Sequence, residues 1–223
     1  MPYYKLYSRC SAQEFVEFWQ QFYHSRIPDE VYQANLNAGA ELTRENVSLL
    51  WRWKNERYGS PLIKPTQAIL EDINRFRKLE HIDGAKEREF WQLVATITHG
   101  IVWQVFVFHM ARPQDYPIFD QHVMRAYLVL TTGYLRRNPR EVGAPCRNYE
   151  WFSSAYGGYR SFFFHLVKEA GFPELKKVDC ALWAFGRHLK RLHQADGPLP
   201  LGEAEDETKY FRKGLKHGTI SGN

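Results

Sequence analysis

The stretch T-I-T-H-G-I-V-W-Q-V-F-V-F-H-M-A-R-P-Q-D-Y-P-I-F-D-Q-H-V-M-R-A-Y-L-V-L, residues Thr96 to Leu130, decides how the chain is read. From Ile101 to Met110 it is apolar and aromatic, interrupted only by Gln104 and His109, and Arg112-Pro113 ends it. Such a run predicts a buried helix. Pro113 and Pro117 then stiffen a short loop up to Asp120, after which Val123, Ala126, Tyr127 and Leu130 recur at helical spacing. The pattern therefore predicts an aspartate placed where a rigid loop enters a new helix.

Upstream, Lys86 to Ile97 is expected to be a helix with Phe90, Trp91, Val94 and Ile97 inward, following a turn at Asp83-Gly84. Thr66 caps an expected helix from Gln67 to Leu79, and Thr43-x-x-Asn46 opens one running to Arg57, which Gly59-Ser60-Pro61 stops. At the N-terminus, Ser11 and Glu14 form a capping-box pattern ahead of Phe15, Phe18, Trp19 and Phe22, predicting a helix from Ala12 to His24. Signals between Ser25 and Leu42 are weak. Downstream, residues 131–145 are polar, with Gly and Pro placed against a long helix. Tyr149 to Tyr156 reads as a short aromatic helix closed by Gly157-Gly158, and Tyr159 to Ala170 as another. Lys177 to His193 is the last clear helix. The reading is all-α, one helical domain over residues 1–194, followed by a loosely attached tail over 195–223 with an acidic patch and then a basic one.

Hydrophobic residues make up 44% and charged residues 25% of the 223, an ordinary globular composition, but the aromatic share of 16% is high. Net charge is +5 and the sequence pI is near 9.0, which permits a polyanionic partner without demanding one. Cys10, Cys146 and Cys180 are scattered, so neither a structural zinc site nor a four-cysteine cluster is expected; no metal and no cofactor is called for. The N-terminus lacks the apolar core of a signal peptide, and no run approaches membrane-spanning length. The expectation is a cytoplasmic monomer with reduced thiols.

The glycine-ended turn at Gly100, the apolar helix, the Pro-containing loop and then D-x-x-V-x-R-A resemble the helix-hairpin-helix DNA glycosylase superfamily. The resemblance covers about thirty residues. It implies a two-lobed helical fold with a hairpin and catalytic loop over residues 86–130 and a central cleft, the first helix returning to pack with the C-terminal part. Gly100 matches the last glycine of the hairpin, Asp120 the catalytic aspartate, and Val123 and Arg125 the residues that follow it. Two positions depart from the pattern. Thr98 stands where the hairpin has an earlier glycine, weakening the backbone grip on phosphate. Val102 stands where members that also cleave the DNA backbone carry lysine, which argues against lyase chemistry.

The resemblance implies DNA as partner and Asp120 as the catalytic carboxylate. Cleaving a base from deoxyribose passes through an oxocarbenium-like sugar, which one carboxylate can stabilise while a second group assists the departing base. Because the base must leave the stack, flat walls are needed. Trp51, Trp53, Trp103 and Tyr116, with Gln121 and His122 beside Asp120, are the candidates for that pocket. Thr98, His99, Gly100, Arg125, Arg136 and Arg137 are the candidates for contacting DNA. The expected function is a monofunctional DNA N-glycosylase acting on a damaged or modified base, in repair or in defence against modified phage DNA. Two alternatives stay open at this point: a hydrolase of small modified nucleosides on a related scaffold, and a non-catalytic DNA-binding module.

Overall fold

The computed structural model describes residues 10–37, 39, 41–55, 66–98, 100–133 and 148–195. These residues form helices α1 (Ala12–Gln20), α2 (Asp29–Leu36), α3 (Arg44–Asn55), α4 (Gln67–Arg77), α5 (Gly84–Ile97), α6 (Ile101–Ala111), α7 (Gln121–Thr132), α8 (Tyr149–Ala170) and α9 (Leu175–Ala195). The all-α expectation holds, and no strand pairs with another among the described residues. Nearly all of the expected tail, together with the stop at Gly59-Ser60-Pro61, lies outside them. None of the described helices is long and apolar enough to cross a membrane.

Local chemistry sets most helix ends. Ser11 and Glu14 close a reciprocal capping box on α1, while Thr66 and Asp83 cap α4 and α5 by accepting from the backbone N–H groups of Ile69 and Lys86. Gly133 ends α7 in the left-handed conformation, with φ 78°, which costs glycine nothing. α1 stops short of the expected His24 because Tyr23 leaves the helix to donate its hydroxyl to Asp29 and to set its ring edge-on to Trp183.

Tertiary packing overrides the local reading in two places. α2 occupies part of the stretch with weak signals; its first turn has no side-chain cap, and Tyr32 and Leu36 anchor it in the core. The second case is α8, which runs unbroken through Gly157-Gly158 where two helices were expected. One continuous helix buries Phe152, Tyr156, Tyr159, Phe162 and Phe163 together, which outweighs the roughly 1 kcal/mol penalty of each helical glycine. Gly158 also has a packing reason to be there, since a Cβ would lie 2.9 Å from the Tyr127 hydroxyl oxygen.

α7, α8 and α9 pack together, and α1 packs back onto α9 and α8. α4, α5 and α6 form a second group, joined to the first through α5 and α8, and α2 pairs with α3. α6 threads the centre: Val105, Phe106 and Phe108 have no exposed surface. Phe76 stacks on Phe90 at 3.9 Å between centroids, and Phe108 meets both edge-on. Much of the aromatic surplus therefore fills the core.

Candidate functional site

The loop before Asp120 is held at successive carbonyls. The Tyr156 hydroxyl donates to Pro117 O at 2.8 Å, and the Tyr159 hydroxyl to Ile118 O at 3.0 Å. His109 Nδ1 lies 2.7 Å from Tyr116 O; a carbonyl only accepts, so Nδ1 carries the proton and Nε2 accepts from the Tyr32 hydroxyl at 2.6 Å. His109 is thus a satisfied core histidine. Burial lowers its pKa to about 3, leaving it neutral.

Asp120 follows in extended conformation as the N-cap of α7. Its Oδ1 accepts from the backbone N–H of His122 at 2.7 Å and of Val123 at 3.0 Å, while Oδ2 lies 3.4 Å from Lys54 Nζ. Its side chain is 15% exposed and that of Lys54 only 9%. Burial pushes the Asp120 carboxyl up. Lys54, His122 and the two amides pull it down by more, so it sits below the usual carboxylate range. This carboxylate is ionised, anchored through one oxygen, and paired through the other.

Lys54 is one end of a larger charged cluster that sequence spacing does not reveal. On α9, Lys176 Nζ lies 3.4 Å from Asp179 Oδ2 and 3.5 Å from Asp29 Oδ2 at the start of α2. Rings of Tyr23, Tyr32 and Trp53 surround the same ammonium at 4.8 to 5.0 Å. Asp29 Oδ1 also accepts from Trp53 Nε1 and the Tyr23 hydroxyl. Asp179 is 8% exposed, and its Oδ1 has no hydrogen-bond partner. Burial raises its pKa, and the nearby Asp120 charge adds to that; Lys176 and Lys54 offset it only in part. Asp120 and Asp179 are thus carboxyl groups displaced in opposite directions across one lysine. In the sequence, Asp179 and Lys176 look like ordinary polar positions of an amphipathic helix.

The candidate pocket residues divide. Trp53 joins the cluster, with its ring 4.4 Å from Tyr32. Trp51 and Trp103 stack on each other at 4.3 Å, and Trp51 packs edge-on to Phe106, whose ring lies 5.9 Å from Lys54 Nζ. Tyr116 is fully buried against Phe76, Phe108 and Tyr156, and its hydroxyl donates to Glu87. No face of that ring is open to a base. Gln121, exposed at the first turn of α7, accepts from Arg125 through both its backbone and side-chain oxygens. Arg125 is only 9% exposed, and both of its terminal nitrogens donate to Gln121, which braces the first turn of the helix.

Thr98 caps the end of α5, and its carbonyl accepts from Gln104 Nε2 at 3.1 Å. Gly100 starts α6 at φ −92°, where a side chain would meet only an ordinary contact with Trp103. Residues 98–100 thus join two consecutive helices. His99, Arg136 and Arg137 lie outside the described residues.

His122 faces a different environment from Asp120. Its ring meets Trp183 edge-on at 5.3 Å and lines an open pocket of about 290 Å³ with His24, Arg26, Trp183, Arg187, Lys190 and Arg191. Burial lowers the His122 pKa; Asp120 opposes that, and Arg125 and Lys190 reinforce it. Gly186 makes this junction possible. A Cβ there would lie 1.8 Å from the His122 carbonyl oxygen, so α9 rests directly on the first turn of α7. The chain matches no protein-family profile, no curated protein and no solved structure.

Proposed function

We propose that the protein is a monofunctional DNA N-glycosylase that hydrolyses the N-glycosidic bond of a damaged or modified base, in DNA repair or in defence against modified phage DNA. The observation that carries this reading is the Asp120 carboxylate, ionised at the entrance to α7 with one oxygen anchored and the other on Lys54. A fixed negative charge stabilises the cationic sugar as the bond to the base stretches. Asp179, pushed toward its neutral form, is the acid that assists the departing base, a role for which neighbours of Asp120 in the sequence offered no clear owner.

Lys54 balances Asp120 in this scheme. Val102 stands at the position where helix-hairpin-helix glycosylases that also cleave the DNA backbone carry lysine, so water is the nucleophile. The return of α1 onto α9 supports the two-lobed arrangement, with α2 and α3 bringing Asp29, Trp53 and Lys54 to the groups on α7 and α9. The test is release of free base, followed by mass spectrometry, from genomic DNAs carrying different modifications. Release by the native protein and not by Asp120→Asn supports the reading, and absence of release from every DNA sinks it. Borohydride trapping of a covalent adduct that Lys54→Met abolishes would replace hydrolysis by lyase chemistry.

A further inference from the structure

We propose that the pocket between α9, the segment 24–26 and the first turn of α7 holds one phosphodiester of a nucleic-acid strand, the one adjoining the nucleotide presented to Asp120. This assignment rests on the glycosylase reading. Its first support is charge. The wall carries Arg26, Arg187, Lys190 and Arg191 with two histidines and a tryptophan, and no carboxylate. Arg26 and Arg191 are exposed and Lys190 is half-buried, and among the described residues none of the three forms an ion pair. Side chains of one sign gathered around a concavity repel one another, and an anion relieves that repulsion.

The second support is preorganisation. Arg187 Nη1 lies 2.6 Å from His24 Nε2, and the guanidinium sits 5.1 Å from the centre of the Trp183 ring. Guanidinium nitrogens only donate, so His24 Nε2 accepts and its Nδ1 donates to Phe22 O at 3.2 Å. A planar fork fixed in this way suits two oxygens of one phosphate. The volume of about 290 Å³ suits a phosphate and its ester oxygens, falling at the low end of the range for whole small-molecule ligands.

The third support is connection to the carboxylates. His122 lines the pocket while its backbone N–H binds Asp120, and Tyr23, adjacent to His24, binds Asp29 in the charged cluster. The pocket is therefore tied through the backbone to the residues that hold Asp120 and Asp29. Trp183, which lines the pocket, supplies an aromatic face there, which suits a polymer with bases better than a free ion.

The experiment uses the full chain and a DNA duplex containing a non-cleavable abasic analogue, with the phosphates around the analogue replaced one at a time by neutral methylphosphonate. Affinity is measured across a salt series for the native protein, for Lys190→Gln/Arg191→Gln and for Arg26→Gln, two changes on separate segments. The double variant should bind the all-phosphate duplex about tenfold more weakly, and its slope of log affinity against log salt should be shallower by about one or two. One methylphosphonate position should weaken the native protein but not the double variant. An unchanged slope, or methylphosphonate effects that simply add in every protein, overturns the assignment. So does a pocket that takes up inorganic phosphate, seen in His24 and His122 imidazole resonances, while native affinity for the duplex matches that of the variants. Base release is measured separately: the phosphate result with no base release removes the glycosylase reading and leaves the pocket, and base release with unchanged affinities does the reverse.

Discussion

His109 and Asp179 are both buried polar side chains within an aromatic shell, and they differ in how their hydrogen bonding is completed. His109 gives its one proton to Tyr116 O and receives one from Tyr32, so it joins α2, α6 and the proline loop with nothing left over. Asp179 meets Lys176 through one oxygen and leaves the other without a partner, in an environment that disfavours its charge. An unsatisfied buried polar atom costs about 1–3 kcal/mol, and among the described residues Arg52 Nε shares that condition with Asp179 Oδ1. The contrast separates a histidine that positions the loop from a carboxyl group whose bonding is incomplete.

The largest expected effect lies on the His109 side. The unfolded chain takes up a proton at this histidine near pH 6.5, and the folded chain does not until about pH 3. Stability from this group is therefore complete above 6.5 and is lost as the pH falls through that window, by on the order of 4–5 kcal/mol in all. Denaturant titrations at a series of pH values should show this slope, and His109→Phe should flatten it. A slope that survives the substitution would place the acid sensitivity elsewhere and weaken the contrast.

On the reactive side, Asp120→Asn keeps an N-cap about as good as aspartate but removes the charge, so base release should fall by two or more orders of magnitude. The same change leaves Lys54 without its carboxylate, at a cost of about 1–3 kcal/mol that Lys54→Met should restore in the double variant. Single-turnover assays and melting curves on the three proteins separate these effects; turnover within threefold of native in a folded Asp120→Asn protein would remove this carboxylate from the mechanism. Asp179→Asn removes the proposed acid, so base release should fall by about a hundredfold, with stability within about 1 kcal/mol of native because the folded protein already resists ionising this group. If Asp179 is only a structural partner of Lys176, the reverse pattern appears, with melting temperature lost and activity per folded molecule retained.

The smallest effect is expected from deleting residues 196–223, whose sequence offers little apolar periodicity to the core. Thermal stability should change by under about 0.5 kcal/mol. A larger loss would mean that the segment contributes to one of the two regions compared here.

What the sequence revealed follows from how local each signal is. The buried helix at Ile101–Ala111, the stiff loop and the capping aspartate are written within one continuous stretch, and each has a nearest-neighbour cause. Lys54, Lys176 and Asp179 carry no such mark, because their meaning comes from partners distant in the chain, Asp120 for Lys54 and Asp29 for Lys176. Tyr116 and Arg125 mislead for the opposite reason. Their places beside Asp120 look like a wall and a cation for DNA, while the fold turns both inward. The paired glycines in α8 fail as a stop because the stripe of aromatics on either side is worth more buried on one axis than on two.

The hydrogen at Gly186 works like a dowel between two machined parts. With the His122 carbonyl seated where any side chain would be, α9 and the entrance of α7 share one datum, and this close approach helps to index the cationic pocket to the carboxylate. Gly186→Ala, a change of one methyl group at the seat of His122, should therefore put both features out of register at once. Among the described glycines, position 186 leaves the least room for a side chain, and a library of variants there should return only the residue already present.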